Sequence, residues 1–401
     1  MLPAQDKVLR GTRVLDFSRY IAGPYCCMLL ADMGAEVIRV GPPAGSEDRN
    51  LGTFCPDGQA LVYGLILQRN KKNITLNLRS AEARDLLERL VKKTDVLVHN
   101  FPPGTEEATV LDYNALKQIN PALIEVIITG FGQYGPYAQR TCFDSIAQAM
   151  SGAMSYTGFP GSPPTRAGVQ YVDFSTGLSA ALGTTLALLY RQKTGKGQLV
   201  DVSLFDVAFS FVAAAGVAAE YKLLGEIRPQ VGNNSFYAYA NSFRAKDGWV
   251  MVNVVGDSAW RRFCRALGRE DLTHDPRFKD NLSRYLNRDE IHPIVADRMK
   301  EKTVAQVTSI LESARVPCGH IRNMADIYND PQVAAREMLL EIEQPDAGKV
   351  PMPGIPIKLS HAPGSIEAPA PKLGQHNSEI YCQLVGLTEQ QLAGYRQKGV
   401  I

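Results

Sequence analysis

In the stretch "GVQYVDFSTGLSAALGTTLALLYRQKTGKG" a single acid, Asp173, stands between a short apolar run and a long helix-like segment. One reading makes it a helix cap, because an aspartate at a helix start accepts hydrogen bonds from the first free N–H groups. Ser175 and Thr176 could do the same. The other reading makes it a nucleophile. A helix N-terminus stabilises negative charge, and an ionised, partly desolvated carboxylate facing a cleft can attack an activated acyl group to form a covalent intermediate. The residues around Asp173 leave both readings open.

Three other stretches could bind an anionic ligand. The turn "SRYIAGPY" follows an apolar strand and opens a helix, where helix N–H groups favour phosphate in doubly wound folds. It lacks G-x-G-x-x-G, and no Walker-type G-x-x-x-x-G-K-[ST] occurs, so neither NAD nor ATP is supported. The run "QRNKKNITLNLR" offers Arg69, Lys71, Lys72 and Arg79, which could face phosphates or form a solvated basic edge. "HNFPPG" ends a strand with Asn100, Phe101 and Pro102 at the carboxyl end where open α/β sheets bind ligands. The seven cysteines and six histidines are dispersed without C-x-x-C or metal-ligand spacing, so neither a disulfide framework nor a metal site is expected.

The elements that must position these residues alternate. "TRVLDF" reads as a buried strand, "AGPYCCMLLADMG" as a helix closed by Gly34, and "AEVIRV" as a second strand; "SAEARDLLERLVKKT", "DVLVHNF" and "ALIEVIITGFG" continue the pattern. Strands alternating with helices predict an α/β fold with a parallel, Rossmann-like sheet. "LVDVSLFDVAFSFVAAAGVAAEYKLLG" reads as one long apolar helix that should be buried, between subunits or in a core. From about residue 225 the texture changes to an aromatic, Asn- and Gly-rich α+β pattern with a hairpin turn at Lys246-Asp247-Gly248. The Pro- and Gly-rich "GKVPMPGIPIKLSHAPGSIEAPAPKLGQ" reads as an extended wrapping segment without regular elements. With 401 residues, 45% of them hydrophobic, and a net charge of +2, the chain has core enough for two domains and no general attraction to nucleic acid or a membrane surface. No apolar run of the roughly 18 to 20 residues that a membrane span needs is expected, nor a signal peptide, which makes the cytoplasm the expected location.

Seven stretches, in this order, resemble the class III coenzyme A transferases, the CaiB/BaiF family: "LDFSRYIAGPY", "LLADMGAEVIRV", "NKKNITLNLR", "DVLVHNFPPG", "ITGFGQYGPYAQRTCFDSIAQAMSG", "DFSTGLSAALGTTLALLYRQKTGKGQLVDVSLFD" and "PKLGQHNSEI". The resemblance covers nearly the whole chain. It implies a large Rossmann-like domain formed by both chain ends (residues 1–204 and 331–401), a linker helix at 205–225, and an inserted smaller α+β domain with its return linker at 226–330. It further implies a homodimer of two ring-like chains interlocked through one another.

The resemblance makes Asp173 the nucleophile that attacks the thioester of an acyl-CoA, giving an acyl-aspartyl anhydride and a thiolate. Coenzyme A and a carboxylate are then substrates, and no metal or redox cofactor is required. For coenzyme A binding it implies Ile21, Ala22, Arg39, the run Leu76, Asn77, Leu78 and Arg79, then Asn100, Phe101 and Pro102, and finally Arg140, Thr141, Cys142, Phe143 and Asp144. Gly232, Asn233 and Tyr237 stand where some members carry a loop over the active site, with Tyr237 or Tyr239 lining the acceptor site or belonging to the small-domain core. Two positions depart from the family pattern: Gly41 replaces an acid, and Ala108, beside Glu106 and Glu107, replaces an arginine. Either Arg39, Arg79 or Arg140 compensates, or coenzyme A is held less tightly. Relatives that racemise 2-methylacyl-CoA esters carry a histidine where this chain has Phe143, and α-proton abstraction calls for a base on each face of the carbon. Racemisation is therefore the disfavoured alternative, and a non-catalytic coenzyme A-binding protein is a second.

Overall fold

The computed structural model describes residues 7–56 and 58–401. The chain forms two compact units: one from the chain up to Ala153, Arg166–Ile227 and Ala334–Ile401, the other from Met154–Thr165 and Arg228–Val333.

The first unit begins with β1 (Arg13–Asp16), α1 (Ala22–Asp32), β2 (Glu36–Gly41), β3 (Lys71–Thr75), α2 (Ala83–Val91), β4 (Val96–His99), α3 (Glu106–Val110), α4 (Tyr113–Ile119) and β5 (Ile124–Thr129). It continues with α5 (Asp144–Met150), α6 (Tyr171–Thr194), β6 (Leu199–Ser203), α7 (Leu204–Ala214) and α8 (Val217–Leu224). The six strands pair in parallel in the order β3-β2-β1-β4-β5-β6. Their alternating side chains supply both faces of the sheet. Val14, Val37, Val96 and Val126 pack under α1 and α6, while Leu15, Ile38 and Leu97 pack under α2, α4 and the chain's last residues. The strand order reverses between β1 and β4, and such sheets open a crevice at the carboxyl ends of those two strands.

The run after residue 198 is not one helix. Leu199–Ser203 adds the last strand, and the remainder splits into α7 and α8 at Gly216, whose φ of 84° is left-handed; the two helices bend by 59°. Within this chain α8 is not buried: none of its residues is, and Tyr221, Leu223 and Leu224 are exposed. At 24 residues, α6 is long and apolar enough to cross a membrane by length and composition, contrary to expectation. Yet 44% of its apolar window is buried in the fold, much of it against α1.

The second unit holds β7 (Tyr239–Arg244), β8 (Trp249–Val254), α9 (Asp257–Ala266), α10 (Asn281–Leu286), α11 (Arg288–Met299), α12 (Val304–Ser313), β9 (Cys318–His320) and α13 (Met324–Tyr328). Its antiparallel sheet β7-β8-β9 turns at the expected Lys246–Gly248 hairpin, and Tyr239 lies in its core among Phe243, Trp260 and Phe263 rather than lining a pocket. After α14 (Pro331–Ala335), β10 (Leu339–Gln344) and β11 (Gly348–Pro353) form an antiparallel hairpin inside the stretch expected to lack regular elements. Pro351 and Pro353 are tolerated there because this two-stranded sheet has only edges. A π-helical turn (Glu379–Leu384) and α15 (Glu389–Gln397) close the chain against α2 and α4.

Candidate active site

Beneath the crevice lies a buried charge network. Lys71 Nζ donates to Asp16 Oδ2 at 2.8 Å and to the Pro24 carbonyl at 3.0 Å. The Arg39 guanidinium lies 3.6 Å from Asp16 and 3.5 Å from Asp48. Burial alone would raise the Asp16 carboxyl, but Lys71 and Arg39 hold it below the ordinary range. Asp16 in turn accepts from Ser18, and Asp48 accepts the Tyr20 N–H at 3.0 Å, so the network fixes the β1–α1 turn. Tyr20 sits there at a φ of 64°, uncommon for a bulky residue, with its hydroxyl donating to Glu47. Arg69, Lys71 and Lys72 of the basic run after β2 thus form neither a phosphate cradle nor a solvated edge. Arg69 is buried against Asp32 at 2.7 Å, Lys71 against Asp16, and Lys72 bridges Glu36 and Glu379 at 2.7 Å each.

Three cavities of the first unit gather most of the expected residues. A cleft of about 260 Å³ is lined by Ile21, Ala22, Asn100, Phe101, Pro102, Arg140, Thr141, Cys142, Phe143 and Asp173. A second, of about 280 Å³, is lined by Arg39, Leu76, Asn77, Leu78 and Arg79. Arg19 and Phe101 line both, and the Arg19 guanidinium sits 4.8 Å over the Phe101 ring. Arg79 is exposed and already paired with Glu107 at 3.0 Å and Glu106 at 3.4 Å; Ala108, the position that departs from the family pattern, packs against the core. Arg140 stacks 4.0 Å over Tyr137, exposed beside the cleft.

Asp173 lies in the first turn of α6 but does not cap it. The cap residue is Gln170, without a side-chain bond, and the N–H groups of Val172 and Asp173 donate instead to Asp144 Oδ2 at 2.9 and 3.2 Å. The Asp173 carboxylate accepts no hydrogen bond among the described residues. Nor is it held strongly ionised: burial, with a smaller push from Asp144, raises it to about 7. Asp144, expected among the coenzyme A residues, does not line the cleft. It lines a third cavity of about 460 Å³ that meets the cleft at Tyr20, Ile21, Phe143 and Asp173 and also holds Tyr63 and Arg166. Burial, followed by Asp173 and Asp144, pushes the Cys142 thiol up to about 11 and keeps it protonated.

α6 reaches this place by a close crossing. A Cβ on Gly177 would lie 2.5 Å from the Ala22 carbonyl oxygen, so only glycine lets α6 rest on the start of α1 one turn beyond Asp173. The edge contact of Tyr25 and Phe174, 5.0 Å between centroids, packs the same crossing.

Sequence reasoning missed Arg19, Tyr20, Glu47, Tyr63 and Arg166. Arg19 and Tyr20 fall within the quoted first turn; nothing in sequence marks the left-handed backbone that aims them. Gly232, Asn233 and Tyr237 belong to the second unit and line none of these three cavities. There the Gly232 N–H donates to the Gly158 carbonyl, Asn233 donates to Ser242 at 2.9 Å, and Tyr237 is exposed.

A parallel sheet of reversed order, with a cleft at its switch point lined by a carboxylate that accepts no hydrogen bond among the described residues, is the arrangement in which open α/β enzymes bind their ligands. Residues 9–377 match the family model described as CoA-transferase family III. The chain is 38% identical to the succinyl-CoA–D-citramalate CoA-transferase of Chloroflexus aurantiacus over 98% of each chain. It is 32% identical to the human succinyl-CoA:glutarate CoA-transferase, covering 98% of this chain and 90% of the relative. A crystal structure of a CaiB/BaiF family protein from Brucella suis superposes with a TM-score of 0.83 at 34% identity, covering 95% of this chain and all of the other. The chain belongs to CoA-transferase family III. It is a class III CoA-transferase, whose substrates are coenzyme A thioesters.

Proposed function

We propose that this enzyme moves coenzyme A from an acyl-CoA donor to a carboxylic acid through an anhydride on Asp173. An Asp173 oxygen attacks the thioester carbonyl, the C–S bond breaks, and coenzyme A leaves as thiolate. The thiolate then attacks the Asp173 acyl carbon, releasing the donor as its carboxylate and leaving an aspartyl thioester. The acceptor carboxylate attacks that thioester and expels the thiolate, which returns to the acceptor's acyl carbon and frees Asp173. Each step exchanges one activated acyl bond for another, so no water is consumed.

The observation that carries this reading is the placement of Asp173, half-buried and accepting no hydrogen bond among the described residues, where the cleft meets the third cavity. The cleft side, with Ile21, Ala22, Asn100 to Pro102 and Arg140 to Phe143, suits the thioester arm; the second cavity, with Arg39 and Arg79, suits the phosphate-bearing end, and the third cavity takes the acyl group. Racemisation is not favoured by the residues at positions 143 and 144. Phe143 stacks edge-on against Tyr20, and both oxygens of Asp144 already accept hydrogen bonds.

The substrates we favour are dicarboxylic acids. The two named relatives pair succinyl-CoA with citramalate and with glutarate, all dicarboxylates. Among the residues lining the third cavity, Arg166 is the one lysine or arginine, placed to meet the far carboxylate. We further propose an interlocked homodimer, in which a partner copy covers the exposed apolar rows of α6 and α8, with Gly232, Asn233 and Tyr237 forming a loop over an active site. Incubation with succinyl-CoA and peptide mass spectrometry tests the mechanism: a succinyl or coenzyme A adduct on the peptide holding Asp173 is expected, and an Asp173→Ala variant with full activity would overturn it.

A further inference from the structure

Asp144 opens α5, and its carboxylate is spent on the backbone that carries the nucleophile. Oδ2 accepts the N–H groups of Val172 at 2.9 Å and Asp173 at 3.2 Å. Oδ1 accepts from Gln148 Nε2 at 2.5 Å, one turn along α5, and Gln148 Oε1 accepts the Ala167 N–H at 2.9 Å, on the chain leading into α6. Asp144 is 5% exposed and Gln148 1%. Since α6 has no side-chain cap of its own, its first N–H groups are satisfied from α5.

We propose that Asp144, held by Gln148, is a positioning residue for Asp173: it fixes the backbone of the nucleophile, takes the N–H groups that would otherwise stabilise the nucleophile's own carboxylate, and keeps a second negative charge beside it. This inference rests on the anhydride reading above. Its chemical consequence follows from where charge moves. Negative charge leaves Asp173 for the sulfur as the anhydride forms, so an interaction that stabilises the ground-state carboxylate slows attack, whereas one that raises its basicity favours attack. Burial and the charge of Asp144 both raise the Asp173 carboxyl. The other titratable groups lining the two cavities are Tyr20, Tyr63 and Arg166 in the third cavity, and Arg19, Glu47, Arg140 and Cys142 in the cleft; Tyr25 on α1 packs against the neighbouring Phe174. Arg166 is the one lysine or arginine lining the third cavity.

The test compares Asp144→Asn with Asp144→Ala in the full chain. Asn keeps an oxygen for the N–H groups and loses the charge; Ala loses both. For Asp144→Asn we expect label still forming on Asp173, an acid limb of kcat/KM moved to lower pH by roughly half a unit to one unit, and a plateau rate about tenfold lower. For Asp144→Ala we expect kcat to fall on the order of a hundredfold with the KM for acyl-CoA changed less than about twofold, and Asp144→Asn to recover part of that loss. Gln148→Ala should resemble a weaker Asp144→Ala. Where Asp144→Ala fails to fold, the pH profile of Asp144→Asn decides alone, and an unmoved acid limb overturns the proposal. A raised KM with intact kcat in both variants overturns it in favour of a coenzyme A contact. No label on wild-type Asp173 overturns the anhydride reading instead, whereas wild-type label with an undiminished labelling rate in Asp144→Ala overturns this inference alone.

Discussion

The side chain of Asn100 grips Arg19 from both sides: its Oδ1 accepts the Arg19 N–H at 2.7 Å and its Nδ2 donates to the Arg19 carbonyl at 2.7 Å. Asn100 follows β4 and Arg19 follows β1, so this amide ties together the two strand ends at which the sheet reverses. Asn100→Ala leaves both backbone groups of Arg19 without these partners in a half-buried place, a loss of about 1–3 kcal/mol. Denaturant unfolding should show it. The KM for acyl-CoA should rise as well, since the Arg19–Phe101 wall between the two coenzyme-side cavities loses its anchor.

At Gly177 a Cβ meets backbone, the Ala22 carbonyl oxygen at 2.5 Å, and backbone cannot rotate away. Gly177→Ala must push α6 off α1, which costs about 1–3 kcal/mol for an overpacked core site. Because Asp173 lies one turn earlier on the same helix, kcat should fall further than the stability loss accounts for. Thermal unfolding together with single-turnover labelling of Asp173 separates the two effects.

How far this site could be read from sequence divides by physical cause. The strands β1, β2, β4 and β5 follow from short, mainly apolar runs, and residues Ile21 and Asn100 fall in the turns after strands that the alternating pattern already locates. What could not be read is pairing at a distance. The basic run after β2 carried four cations that looked free, and each meets an acid contributed by another segment: Arg69 meets Asp32, Lys71 Asp16, Lys72 Glu36 and Glu379, and Arg79 Glu106 and Glu107. In the same way Asp173 looked like a cap because it stands near a helix start, while the actual cap comes from Asp144, 29 residues upstream. The break at Gly216 was legible as a glycine but not as a left-handed one, since only the packing of α7 and α8 demands that conformation.

Asp173 should limit activity at low pH far above the ordinary carboxylate range. Attack requires the ionised form, and burial with the Asp144 charge puts its titration at about 7 against an ordinary value of 3.8. The acid limb of kcat/KM for an acyl-CoA is expected near pH 7. Stability runs the other way. A raised folded-state value means that the folded chain holds a proton which the unfolded chain has already released, so the contribution is fully present below 3.8 and is lost as pH rises through about 7. Asp173→Asn, which cannot ionise, should therefore match wild type in Tm near pH 4, exceed it increasingly toward pH 7, and keep a constant advantage above that. A Tm difference that does not change with pH would contradict the raised value.

If Arg166 meets the far carboxylate of the acceptor, its removal should discriminate by substrate. Arg166→Gln is expected to raise the KM for dicarboxylate acceptors on the order of tenfold or more, the loss of a charge-assisted pair, while leaving turnover with a monocarboxylate of equal length within about twofold. Steady-state kinetics with a matched pair of acids reads this directly. An equal loss for both would place Arg166 in the scaffold.

Arg79 pairs with Glu107 in the lining of a cavity that it would share with a ligand's anionic end. Both residues line the cavity that also holds Arg39, and Arg79 is two-thirds exposed while bonded to Glu107 at 3.0 Å. An anionic end of coenzyme A entering this cavity must share Arg79 with that glutamate and approach a like charge while doing so. Glu107→Gln removes the competitor and keeps the side chain's shape, and an exposed ion pair of this kind contributes only about 0–1 kcal/mol to stability. The variant should therefore unfold like wild type yet show a lower KM for acyl-CoA by a few-fold at low salt, with the advantage fading as ionic strength rises toward a Debye length of about 8 Å. Arg79→Gln should do the reverse. If instead Glu107→Gln weakens binding, the glutamate orients Arg79 toward the ligand rather than competing for it, and Arg79 then needs its partner to work.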